Sequence, residues 1–267
     1  MLRAGPLQSL WQHRALAYRL AARDVAARWK GSYLGPLWTI LTPLFLLGVY
    51  TFVFGTVLKG RWPASDGTQP PFALVLLSGL ILVQLFGETV SIASGVIRGN
   101  VSFVKQVLFP LEILPFVSFL VAVFHAAITG LLLLLFYAVL YRPPPLAAAW
   151  LPLLLVPVPL VTLGVAWFVA ALGAYMRDTA QLTAVFVSVM MFLSPVFYAI
   201  EAVPERFRFL ISWNPLTPVI VGVRSVLFDS TLPPMTPWFI ALAVSAVIFQ
   251  LGFLFFRRTR EGFADVI

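Results

Sequence analysis

The sequence predicts an all-α integral membrane protein, and three observations carry that prediction. Of its 267 residues 61% are hydrophobic and 10% charged, with a mean hydropathy of +0.97, whereas a soluble domain carries roughly 25% charged residues. Several apolar runs reach the roughly 20 residues needed to cross a hydrocarbon core, and they cover most of the chain. Runs such as 131–136 and 151–156 are continuous, unlike the alternating segments of about ten residues that build a membrane barrel. One helical domain over residues 1–267, with no room for a soluble one, follows.

The formal net charge of +8 is spread between the apolar runs, which suits membrane topology and anionic headgroups better than nucleic acid. The absence of cysteine removes disulfides and thiolate metal sites. Five arginines within residues 1–28, and no uninterrupted apolar core there, argue against a cleavable signal.

Residues 7–30 read as an amphipathic interface helix. Trp11, Tyr18, Ala22, Val25 and Trp29 recur at helical spacing, and Gln12, Arg19, Arg23 and Lys30 form a second stripe. Aromatic edges beside arginines suit the headgroup layer; a solvated basic helix is the alternative. The first span covers about 36–58, with Pro36 in its first turn and a kink expected at Pro43. A loop holding Lys59, Arg61, Pro63, Asp66, Pro70 and Pro71 leads to the second span, 72–92. A polar break from Arg98 to Phe109 is long enough for a short helix.

The third span, 111–141, exceeds what a bilayer requires, so tilt or a break near Pro115 is expected. The fourth, 150–175, is interrupted by Pro152, Pro157 and Pro159 and carries Ala166, Ala170 and Ala174 on one stripe, which permits close helix contact. Arg177 and Asp178 form a tight polar turn before the fifth span, 182–200, and the last covers 238–256. Between them, residues 201–237 are too apolar for a free loop and too interrupted to span. An Asn214-Pro215 turn between two short apolar pieces suits helices that dip into the membrane and return.

With both termini on one side, that side holds twelve of the 18 Lys and Arg residues, Arg3 and the Arg257-Arg258-Arg260 cap among them. The other side holds six: Lys59, Arg61, Arg142, Arg206, Arg208 and Arg224. The excess places both termini in the cytoplasm.

Ionisable groups at membrane depth mark chemistry because each is costly there, and only Glu88, Glu112 and His125 qualify. The carboxylates read as salt-bridged or interfacial anchors, and His125 as a packed, hydrogen-bonded residue in preference to a proton relay. HExxH, GxSxG and GxxxxGK[ST] are absent. Leu77-Ser78-Gly79 matches three letters of an ATPase signature but lies inside an apolar span. GxxxG at 31–35 and 95–99 is a weak signal at span ends. Aromatics make up 15% of the chain. Trp38, Phe45, Tyr50, Phe52 and Phe54 in the first span, with Phe186, Phe192, Phe197 and Tyr198 in the fifth, read either as ordinary lipid contact or as a conduit on which sugar rings stack.

Six segments in order then carry a resemblance. They are ARWKGSYLGPLWTILTPL (27–44), LFPLEILP (108–115), AYMRDTAQL (174–182), FLSPVFYAIEAVP (192–204), WNPLTPVIVGVRSVLF (213–228) and FADVI (263–267). Together the chain resembles the permease subunit of polysaccharide-exporting ABC transporters, the family that exports O-antigen, teichoic acid or capsule. The resemblance implies a homodimer of six-span subunits in the bacterial cytoplasmic membrane, paired with two copies of a separate ATPase that supplies ATP and Mg chemistry. This chain then holds no cofactor and no catalytic residue. A lipid-linked polysaccharide is the implied substrate, with a periplasmic export component beyond it.

Carried onto these residues, Arg19, Arg23, Arg28 and Lys30 belong to the interface helix. Arg98, Asn100, Phe103, Lys105, Phe109 and Glu112 belong to a coupling helix seated on the ATPase, and Arg177 and Asp178 to a second cytoplasmic contact. The 201–234 segment resembles re-entrant helices that close the outer side. Trp38, Phe45, Tyr50, Phe52, Phe186, Phe192, Phe197 and Tyr198 line the conduit. The family often carries a basic residue at the place of Leu111, and the entry motif is closer to the O-antigen and teichoic acid branch than to the capsule branch. An exporter of a small lipid or drug on the same scaffold, and a membrane enzyme acting on polyprenyl-linked sugars, are the rivals. The enzyme would need acids grouped at one interface, and Glu88, Glu112, Asp178 and Glu201 are scattered.

Overall fold

A computed structural model of the chain describes residues 5–57, 62, 70–106 and 109–266. Arg3, Lys59, Arg61, Pro63, Asp66, Leu108 and Ile267, to which the sequence assigns places above, lie outside them. The described residues form helices joined by short turns, with no strand among them. Among the described residues five helices are long and apolar enough to cross a membrane, six if one bent pair counts as a span, so the chain is a multi-pass all-α membrane protein.

The N-terminal segment forms α1 (Pro6–Gln12) and α2 (Arg14–Trp29), interrupted at His13, where 7–30 predicts one helix. Its buried side matches the predicted stripe only at Val25 and, in part, Trp29. Ala17, Leu20, Ala21 and Val25 pack on Ile113, Val117 and Val121, while Trp11 and Tyr18 stand exposed. Small and aliphatic side chains let α2 lie close against its neighbour, with Trp11 and Tyr18 turned outward and Trp29 against Phe124 of α6.

Gly31 and Gly35 adopt φ of +84° and +49°, a region favourable only to glycine, so the chain turns sharply before α3 (Trp38–Tyr50). Pro36 sits in the 3-10 turn Gly35–Leu37 that opens it. α3 runs on through Pro43 and continues as a π-helical stretch, Thr51–Val57. Most of this segment is exposed.

The organising helix is α4 (Phe72–Val96), which packs on α6, α8, α9 and α11 and buries Leu74, Leu76, Leu80 and Phe86. A 3-10 turn, Arg98–Asn100, and the short α5 (Val101–Val104) lead into α6 (Ile113–Leu140). Pro115 falls in the first turn of α6, where a missing N–H costs nothing, so the break expected there does not occur. Next come a 3-10 turn, Leu146–Trp150, α7 (Leu151–Leu154) and α8 (Pro157–Tyr175), with Pro152 and Pro157 each at a helix start.

The 15 residues of α9 (Thr179–Leu193) make it shorter than the predicted 182–200. Pro195 is the cause: Ser194 before it is extended, with φ −90° and ψ 139°, as a residue preceding proline must be. α10 (Glu205–Ser212) and α11 (Thr217–Arg224), extended by a π turn to Asp229, meet at an angle of 97°. The bend is fixed by an Asx turn in which the Leu216 N–H donates to Asn214 Oδ1 at 3.0 Å. α12 (Met235–Thr259) and α13 (Phe263–Val266) finish the chain.

Packing density comes from small residues. A Cβ on Gly252 would lie 2.0 Å from the Gly164 carbonyl oxygen, and one on Gly173 would lie 1.9 Å from that of Ser94. α8 therefore touches α12 and α4 backbone to backbone, and Ala166, Ala170 and Ala174 are fully buried as their stripe predicts. The GxxxG glycines at 95 and 99 have open space around them and make no such contact.

Candidate functional site

A cleft of about 630 Å³ opens between α3, α4, α6 and α9. Trp38, Thr39, Thr42 and Tyr50 line it from α3, Gln84 and Glu88 from α4, His125 and Thr129 from α6, and Val187 and Met191 from α9. Its polar end is organised by Glu88. Arg28 Nη1 of α2 donates to Glu88 Oε1 at 2.6 Å, and His125 Nδ1 lies 2.9 and 3.1 Å from the two carboxylate oxygens. The carboxylate thus joins three helices, and Glu88 and His125 each have a partner, as the anchor reading of Glu88 and the packed reading of His125 expect.

An aromatic cluster extends from Tyr50. Phe54 lies against Tyr50, stacks on Phe72 at 5.5 Å and on Phe197 at 6.1 Å, and Phe197 touches Phe192. The Tyr198 hydroxyl donates to the Phe192 carbonyl at 2.7 Å. Trp38 and Tyr50 are therefore at the cleft, and Phe192, Phe197 and Tyr198 adjoin it. Phe186 leans instead on Phe86. Phe45 and Phe52 are exposed and make no ring contact among the described residues. A polar patch beside aromatic faces can hydrogen-bond hydroxyls and stack on ring faces.

At the end where the chain termini meet, the coupling-helix candidates form a second cluster. Arg98 donates to the Ala174 carbonyl at 3.2 Å, and Asn100 to the Val96 carbonyl at 2.8 Å. Phe103 and Phe109 stack at 4.4 Å with planes 2° apart. Arg260 reaches Glu112 Oε2 and the Phe109 carbonyl, both at 2.9 Å, while Ser9 donates to Glu112 Oε1 at 3.1 Å and Trp167 Nε1 to the Glu112 carbonyl at 2.9 Å. Lys105, Arg177 and Asp178 are exposed, as are Arg19, Arg23 and Lys30; Arg23 pairs with its neighbour Asp24. Leu111 is buried in the core with Leu10 and Phe253, so a basic residue would be desolvated at this position.

Two features are not apparent from the sequence. Glu88 and His125 are each legible there as unusual, but joining them requires the register of two helices. Arg224 reads as an outer loop charge, yet it is 5% exposed; a lone arginine inside the apolar VIVGVRSVLF is the signal that could have found it.

Apolar helices around a mostly apolar cleft with one polar end define the class as a polytopic membrane protein. Residues 16–228 match the ABC-2 type transporter family, and the chain belongs to that family. It is also similar to curated proteins named O-antigen export system permease protein RfbA. One from Klebsiella pneumoniae is 25% identical over 247 residues, 92% of either chain. One from Myxococcus xanthus is 26% identical over 267 residues, 98% of either chain.

Proposed function

We propose that the chain is the membrane-spanning subunit of an ATP-driven exporter that moves a lipid-linked, O-antigen-like polysaccharide across the bacterial cytoplasmic membrane. The observation that carries this reading is the similarity to O-antigen export permeases over at least 92% of the chain. Two copies form the conduit with the exposed faces of α3 and α9, and two copies of a separate ATPase bind ATP and Mg. Both termini are cytoplasmic, and α5 with Phe109 and Glu112 forms the coupling contact, with Arg177 and Asp178 beside it. α10 and α11 re-enter the membrane from the outside and close the conduit.

The geometry supports this in two ways. The cleft offers aromatic faces and hydrogen-bonding groups together, which lets a polymer slide without fixing any one sugar. Phe103 of α5 stacks on Phe109, whose carbonyl accepts from Arg260 at the end of α12, so a push on α5 reaches the spans. Reconstitution with the partner ATPase tests the proposal. ATP-dependent movement of a lipid-linked glycan into the vesicle lumen is expected, and its absence with several such substrates would overturn it.

A further inference from the structure

Arg224 is a nearly buried guanidinium at the crossing of three elements. Its Nε donates to the Val75 carbonyl of α4 at 3.3 Å, and its Nη1 and Nη2 to the Pro195 and Val196 carbonyls at 2.5 and 2.8 Å. Its flat face lies over the Trp62 ring at 4.5 Å. The Pro195 and Val196 carbonyls are free because the proline breaks the end of α9, and irregular backbone at membrane depth must be satisfied by protein. Gly79 makes the room: a Cβ there would lie 3.0 Å from Arg224 Nη2 and 3.3 Å from Ile220 of α11. Arg224 and Trp62 also border a cavity of about 290 Å³ whose wall includes Glu201 and Asp229.

From this geometry we infer that Arg224 is the positioning residue that keeps the outer closure shut, pinning α11 to α4 and to the broken end of α9. The pin is read from contacts on these three elements; its role as a closure rests on the re-entrant reading of α10 and α11. A guanidinium suits the position because its planar fork serves three acceptors from different elements at once. Carbonyl partners, unlike a carboxylate, leave the pin breakable when the helices shift.

The chain has no native cysteine, which allows a direct test in nanodiscs without ATPase or glycan. Val196→Cys, at a fully buried position beside the pin, reports opening through its reaction with a membrane-impermeant maleimide. Ala166→Cys, fully buried on α8, reports general loosening. Arg224→Gln is expected to raise the rate at position 196 about tenfold, the scale of one lost charged hydrogen bond, and to leave position 166 unchanged. Arg224→Lys is expected to fall between. If Arg224→Gln does not fold, Gly79→Ala, which pushes on Nη2 without removing it, is expected to give a smaller increase at 196 alone. Equal rates at 196 with and without the pin, or a joint rise at 196 and 166, would overturn the assignment. Because the labelling needs no substrate, a failure of glycan export would leave the rates at 196 and 166 just as informative about the pin.

Discussion

Glu88 pairs with the Arg28 guanidinium and the His125 ring, and the exposure of each decides what its loss costs. Arg28 is 43% exposed and His125 23%, so a freed Arg28 turns into solvent, whereas a freed His125 stays largely within the helix packing. Truncating the carboxylate is therefore worse than truncating the arginine. Glu88→Ala should cost about 1–3 kcal/mol and Arg28→Ala less than about 1 kcal/mol, measured by thermal unfolding of the purified protein. Trp38 raises a different question, because its ring lines the cleft but is half exposed. Under the export proposal Trp38→Ala should slow glycan export about tenfold, equivalent to roughly 1.4 kcal/mol of lost contact, with assembly intact. Unchanged export in reconstituted vesicles would reduce Trp38 to an interfacial anchor. Phe239, exposed on α12, serves as the control.

At the scale of helices, contact is governed by where a side chain would not fit. Gly252→Ala puts a methyl into the Gly164 backbone, which cannot move aside as a flexible side chain could, so α8 and α12 must separate. The expected cost is at least about 1–3 kcal/mol. Gly95→Ala meets nothing within 4 Å and should instead stabilise α4 by up to about 1 kcal/mol through helix propensity. Chemical or thermal denaturation of the two variants checks both signs. The contrast also marks what the sequence discloses. Gly95 and Gly99 fit the familiar GxxxG spacing and touch no neighbouring helix, while Gly164, Gly173 and Gly252 carry the close approaches at no such spacing. Spans, proline starts and the Asn214-Pro215 turn are legible because length, hydropathy and fixed φ are local properties. Which face of α2 is buried is not, since Ala22 and Ala17 are both apolar and only the surface of α6 chooses between them. Gly79 shows the same limit: its neighbours look like part of an ATPase motif, and its physical role is space for an arginine 145 positions later.

Across the whole molecule, one carboxylate gathers the two ends of the chain. Glu112 receives Ser9 from α1 and Arg260 from the turn after α12, its carbonyl receives Trp167 from α8, and Arg260 also holds the Phe109 carbonyl. Under the proposed function, this knot is where force from the ATPase divides among α6, α8 and α12. Glu112 is 13% exposed against 33% for Arg260, so deleting the arginine leaves the more buried charge with only a hydroxyl, and the loop before α6 loses its hold on α12. Arg260→Ala should therefore lower export more than ATP hydrolysis, since the partner still binds and turns over while its motion is transmitted poorly. Arg260→Lys keeps the charge but loses the fork that reaches carboxylate and carbonyl together, and should recover only part of the coupling. The quantity to measure is glycan moved per ATP hydrolysed in proteoliposomes. An unchanged ratio in Arg260→Ala, with both rates falling together or neither falling, would show that the knot holds the fold and does not transmit the stroke.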